Sequence, residues 1–299
     1  MTDSERILDK AIGLADCPVS RAAEIYNLLS PLKTDYMRGE RRLSPEKEVR
    51  LFDLYSRAAA ELGWKNEAEY YAAKALELAV ECGQRGESSH ITDFLMGLYL
   101  DRHASRLVVR VGDPMLDFCE IDELVSNFAF KLCCAYFIEG RFKDSQALAS
   151  RMLDFVKAYG DYRNPETSWL YYFIYNYGDV EDPLEVLSEW HAFQISLYGE
   201  DSPQAAEVLC HIAIYAGIQG DYDRSEELFT KALGILTDED VTFRLEGLSW
   251  YLMMFAIVLK EDGRREEALG ACDLALEGCG EDFAGVIGSI RDEIEAMED

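Results

Sequence analysis

Apolar residues along this chain recur every three or four positions, the spacing that places them on one face of a helix. Followed from end to end, the pattern predicts two N-terminal helices over about 3–14 and 19–34, then a polar loop at Arg38–Ser44. Helix pairs follow over about 45–62 and 65–82, 88–101 and 103–111, 119–138 and 142–158, 166–177 and 183–198, 203–218 and 222–235, and 242–261 and 265–278. An irregularity is expected at Val108–Pro114. A last amphipathic helix over about 282–297 carries the acidic finish Glu293–Asp299, which suits a terminal helix facing water. The expected fold class is all-α.

A phrase repeats at the turn inside these pairs. Gly63 leads through Trp64–Glu67 to Ala68, Gly140 to Ser145, Gly220 to Ser225 and Gly263 to Ala268. The glycine closes the first helix, where a positive φ suits a residue without Cβ. The small residue five positions later lets the second helix lie close against the first. Ala75, Met152, Ala232 and Ala275 fall on the same face two turns on. With Gly178 as a further turn, Gly140, Gly178, Gly220 and Gly263 are 38, 42 and 43 residues apart. The interval of 77 from Gly63 to Gly140 has room for a degenerate unit turning near Asp101–His103. After Gly178 the small residue is replaced by Pro183, which suits the opening of a helix but departs from the pattern.

The small–x₃–aromatic–x₂–Ala signature after a turn glycine resembles the tetratricopeptide repeat. The best copy runs from Leu197–Pro203 through Ala216 and Gly220–Tyr222 to Phe229 and Ala232. It resembles the longer subclass, with units of about 42 residues, found in kinesin light chains and bacterial peptide-sensing regulators. The resemblance implies a right-handed α-α superhelix of about six helix pairs. Residues 1–44 would be N-terminal capping helices, 45–280 the repeats with a degenerate unit near 88–113, and 281–299 a C-terminal capping helix.

The resemblance also implies that first helices line a concave groove. Counting back from each turn glycine places Arg50, Asp53 and Arg57 there, then Asn127, Phe130, Cys134 and Phe137, then Ser168, Tyr172 and Tyr175. Glu207, Cys210 and Ile214 follow, and finally Trp250, Met253 and Ile257. The candidate partner-binding residues are Asn127, Phe130, Phe137, Tyr172, Tyr175, Ile214, Trp250, Met253 and Ile257. An apolar, aromatic lining suits an amphipathic helix or an extended apolar peptide. The same stripe also reads as core packed against neighbouring helices, and the sequence leaves both readings open. Ser168–Tyr177 is the most aromatic stretch, too aromatic for one helix face, so some of Tyr171, Tyr172, Tyr175 and Tyr177 should reach a surface or groove. The family's carboxylate clamp needs Lys, Asn and Arg at positions that here hold Asp53 and Arg57, Phe130 and Cys134, and Cys210 and Ile214. A partner gripped by its acidic C-terminal tail is therefore not expected.

Composition narrows the partner. The formal net charge is −28, and residues 201–299 alone carry 7 basic and 23 acidic side chains. Such a surface repels phosphate backbones and anionic lipid, so no direct nucleic-acid or membrane partner is expected. It would attract basic proteins or peptides, or simply keep the chain in solution. Met1–Lys10 is polar and charged, unlike a secretory leader, and no apolar run approaches the ~20 residues of a membrane span. Eight cysteines, most of them inside apolar helical patterns and without C-x-x-C spacing, read as reduced cytoplasmic thiols.

No catalytic motif, metal-ligand spacing or cofactor-binding loop is present, so neither an enzyme nor a cofactor is expected. The leading expectation is a protein- or peptide-binding scaffold with an acidic C-terminal half. The alternatives are an acidic decoy that imitates nucleic acid, and a peptide-sensing regulator acting through a partner. The sequence does not specify an oligomeric state.

Overall fold

The computed structural model describes residues 2–17, 20–40, 43–124, 126–159, 167–177, 180–237, 245–277 and 279–297. Residues 1–160 and 161–299 form two compact units. Every regular element described is helical.

In the first unit, α1 (Asp3–Ala15), α2 (Ala22–Met37), α3 (Pro45–Glu61), α4 (Lys65–Glu81), α5 (Arg85–Leu100), α6 (Ser105–Phe118), α7 (Ser126–Ile138) and α8 (Phe142–Tyr159) pack in succession. Thr2 opens α1 with a capping box: its hydroxyl accepts from the Glu5 backbone, and the Glu5 carboxylate accepts from the Thr2 backbone. First helices also touch one another, α1 on α3 and α5 on α7, which is the stacking a repeat requires.

The second unit holds α9 (Thr167–Tyr177), α10 (Pro183–Tyr198), α11 (Pro203–Ile218), α12 (Tyr222–Leu236), α13 (Leu245–Glu261), α14 (Arg265–Glu277) and α15 (Glu281–Glu295). Here α11 touches α13, and α13 touches α15. Asp182 caps α10 ahead of Pro183, and Ser202 caps α11 ahead of Pro203. Each proline thus sits at a first helical position, where its missing N–H costs nothing.

The turns follow the expected chemistry. Gly63, Gly140, Gly220 and Gly263 have φ of 82, 73, 80 and 76°. Each turn ends in the same bond, the N–H after the glycine reaching back five residues: Trp64 to Ala59, Arg141 to Tyr136, Asp221 to Ala216 and Arg264 to Leu259. His103 does this work in the degenerate unit, at φ 54° and with Ala104 bonding Tyr99. Gly178 lies outside the described residues.

Ala68, Ser145, Ser225 and Ala268 are fully buried, as are Ala75, Ala232 and Ala275. The two serines add a bond: Ser145 Oγ donates to the Cys133 carbonyl at 3.2 Å and Ser225 Oγ to that of Ala213 at 2.7 Å. Gly217 marks the tightest approach, since a Cβ there would lie 2.6 Å from a Val258 methyl.

Two boundaries differ most from expectation. The helix expected over 103–111 continues through Pro114 to Phe118. Val108, Gly112 and Met115 bury one continuous face, which offsets the ~3 kcal/mol that an internal proline costs. The helix expected from 119 instead begins at Ser126, after extended Cys119 and a short 3₁₀ turn at Ile121–Glu123.

Candidate functional site

Four helices of the second unit bring aromatic side chains around one histidine. On α11, Glu207 and His211 are four residues apart and so share a face. On α9, Tyr172 and Tyr175 share another, and α10 and α13 supply Trp190 and the neighbours Trp250 and Tyr251. The His211 ring lies 5.4 Å from Trp190, 5.5 Å from Tyr175 and Tyr251, 5.7 Å from Trp250 and 6.5 Å from Tyr172. His211, Trp190 and Tyr251 are buried, whereas Tyr172, Tyr175, Trp250 and Glu207 are half-buried. The cluster therefore has a closed floor and a partly open rim.

A polar relay runs through it. The Tyr251 hydroxyl lies 3.2 Å from Glu207 Oε1 and 3.2 Å from His211 Nε2. Donating to the carboxylate leaves that hydroxyl to accept from the imidazole, a pattern that a neutral Nε2–H histidine satisfies. Burial lowers the His211 pKa to about 4, so the ring is uncharged at neutral pH. Burial raises Glu207 against the opposing hydrogen bond from Tyr251. Tyr251 is raised by burial and by the neighbouring carboxylate. Burial, with a smaller contribution from Tyr215, pushes Tyr175 to about 12. Among the described residues Glu207 accepts from Tyr251 and forms no ion pair. Below the rim, Ser168 Oγ accepts from both Trp190 Nε1 and Gln194 Nε2 at 2.8 Å, fixing α10 to α9.

The groove residues expected from the sequence divide. Tyr172, Tyr175 and Trp250 meet in this cluster. Ile257 on α13 is half-buried. Ile214 and Met253 are 5% and 6% exposed and belong to the packing between helices, offering little to a partner. In the first unit Asn127 is exposed, Phe130 half-buried, and Phe137 38% exposed against Phe142. Within the Ser168–Tyr177 stretch Tyr171 is fully buried, and the Tyr177 side chain lies outside the described residues. Trp190 was missed because only first helices were counted, and it stands on a second helix. His211 and Tyr251 were legible as neighbours of Cys210 and Trp250, and the four-residue spacing of Glu207 and His211 was the available signal.

The first unit has a comparable cluster. Tyr26, Tyr55, Trp64 and Tyr71 pack ring on ring, and the Lys33 Nζ lies 4.3 Å from the Tyr55 ring centre and 4.7 Å from that of Tyr71. Lys33 donates to Tyr55 at 2.9 Å and reaches Glu67 at 3.4 Å. Tyr55 and Tyr26 donate to the same carboxylate at 2.8 and 3.1 Å. Burial would raise Glu67, but these bonds and the Lys33 charge hold it below the usual carboxylate range.

Other chemistry is sparse. Among the described residues no three His, Cys, Asp or Glu side chains are placed to hold a metal ion. The eight cysteines are free thiols, four of them buried. No described helix is long and apolar enough to cross a membrane.

The fold is all-α, each unit built of stacked tetratricopeptide-like helix pairs. No protein-family profile matches the sequence, and neither does any curated protein. Among solved structures it is similar to the apo form of the quorum sensor NprR from B. thuringiensis, at 12% identity over 99% of this chain and 83% of that one, with a TM-score of 0.57. It is similar to the apo form of RapI, at 13% identity over 98% and 82%, with a TM-score of 0.56. A putative kinesin light chain with nearly identical repeats from Podosopora anserina matches 67% of this chain and 100% of its own, at 14% identity and a TM-score of 0.50. At such identities the likeness is one of fold.

Proposed function

We propose that this chain is a non-catalytic scaffold that binds a protein or peptide through the open rim of the α9–α11–α13 cluster. One observation carries the reading: Tyr172 and Tyr175 on α9 and Trp250 on α13 converge on one buried histidine of the intervening first helix α11 and are themselves only half-buried. Aromatic rings held at a partly open site are the usual anchors of an interface, each worth about 2 kcal/mol or more. Residues 45–280 would present such surfaces along the repeats, with 1–44 and 281–299 as caps. Ile257 would extend the contacts on this unit, and Asn127, Phe130 and Phe137 would offer the first unit a contact surface of its own. Likeness in fold to a quorum sensor agrees with a peptide ligand and with a regulator that passes its signal to a second protein. The acidity of the C-terminal half favours a basic partner.

A peptide display library panned against the whole chain tests this. Binders of micromolar affinity are expected, and the double substitution Tyr172→Ala with Trp250→Ala should abolish their binding. Binders indifferent to that pair would move the site elsewhere, and a library that yields none would remove the peptide reading.

A further inference from the structure

The two aromatic clusters share a design with one part missing. In the first unit the rings of Tyr55 and Tyr71 and the carboxylate of Glu67 enclose the ammonium of Lys33. In the second, Tyr172, Tyr175, Trp250 and Tyr251 stand with the carboxylate of Glu207, and among the described residues no cation pairs with it. The histidine at the centre does not serve, because burial keeps it neutral. A half-buried carboxylate without a counter-charge is costly, and aromatic faces attract cations, most strongly those of tryptophan.

Resting on the reading above, we propose that the rim formed by Tyr172, Tyr175, Trp250 and Glu207 receives a cationic side chain, lysine or arginine, from the bound peptide. The bound group stacks on the exposed ring faces and neutralises Glu207, as Lys33 neutralises Glu67 within the chain. Arginine fits best, because a planar guanidinium stacks on a ring while donating to a carboxylate. The surrounding net negative charge favours the same class of ligand at longer range.

The test titrates the intact protein with N-acetyl-arginine methylamide, the lysine equivalent and the uncharged citrulline equivalent, following tryptophan fluorescence. Saturable quenching by arginine, with a Kd on the order of millimolar, is expected. Citrulline should bind at least about ten-fold more weakly, and Glu207→Gln, which retains an acceptor for Tyr251, should weaken arginine binding to a similar degree. Lysine binding as tightly as arginine would keep the cation site and discard the stacking preference. Equal binding of citrulline and arginine, an unaffected Glu207→Gln protein, or no saturable response to either cation up to about 100 mM would overturn the proposal. The citrulline comparison uses only the unaltered protein, so it decides even where a variant folds poorly. If arginine binds while the peptide library yields nothing, the cation site stands and the peptide-scaffold reading falls.

Discussion

The Lys33 cluster and the His211 cluster answer one physical problem in opposite ways. Both place a carboxylate among stacked rings. The first supplies its own cation and bonds Glu67 to two tyrosines and a lysine, so its charges are matched within the chain. The second puts a neutral imidazole where the charge would be and leaves Glu207 with one tyrosine. A region built for stability tends to satisfy its charges internally, whereas one built for recognition leaves a demand that a partner meets. On the reading proposed above, their difference marks where a partner would supply the missing charge.

Four experiments break or sharpen this contrast. The largest effect is expected from Lys33→Met, which strands Glu67 among aromatic rings; equilibrium urea unfolding should show a loss of about 2 kcal/mol, less than a fully buried pair would cost because Glu67 is one-third exposed. Next comes acid. His211 has its pKa depressed from 6.5 to about 4, so its stabilising neutrality is complete above pH 6.5 and is lost as pH falls towards 4. Between pH 7 and pH 5 that loss is about 2 kcal/mol. The raised Glu207 opposes it, because its protonation relieves burial as the pH drops. In His211→Gln the stability difference between pH 7 and pH 5 should therefore shrink by about 2 kcal/mol. Trp169, Trp190 and Trp250 report the unit in question by fluorescence.

A smaller effect separates the two carboxylates. Glu207→Gln should change stability at pH 7 by less than about 1 kcal/mol, and towards greater stability, because it removes an uncompensated charge and keeps the Tyr251 bond. A loss of more than about 1 kcal/mol would mean that Glu207 has an internal role like that of Glu67. The smallest change is expected at the turn of the degenerate unit. His103 holds a positive φ that costs a side-chain-bearing residue roughly 1 kcal/mol, and His103→Gly should recover about half of it against the entropy of glycine. A thermal scan measures it.

Much of the fold was legible because its punctuation is local. A turn glycine followed five residues later by Ala or Ser specifies a pair from a dozen residues, and Gly63, Gly140, Gly220 and Gly263 all did so. The path of α6 through Pro114 was not legible, since local chemistry argues for a break and the burial of Val108, Gly112 and Met115 overrules it. The candidate site was half legible. Aromatic excess in Ser168–Tyr177 announced that some rings must emerge. Which ones depends on a rotation of about 100° per residue, so Tyr171 is buried while Tyr172 reaches the rim. Trp190 joins from a second helix, which no counting of first helices can reveal. Ile214 and Met253 shared the helical register of the rim residues, yet neighbouring helices cover them.

The serine hydroxyls of Ser145 and Ser225 each clasp a carbonyl only twelve residues behind them. The bond itself draws on no residue of the hairpin that follows. On the ribosome, each such bond has both partners as soon as the second arm emerges, while the outer face of the hairpin waits for the next pair to cover it. Over evolutionary time, the chain could grow or shrink by whole hairpins, each new one needing only a compatible neighbour.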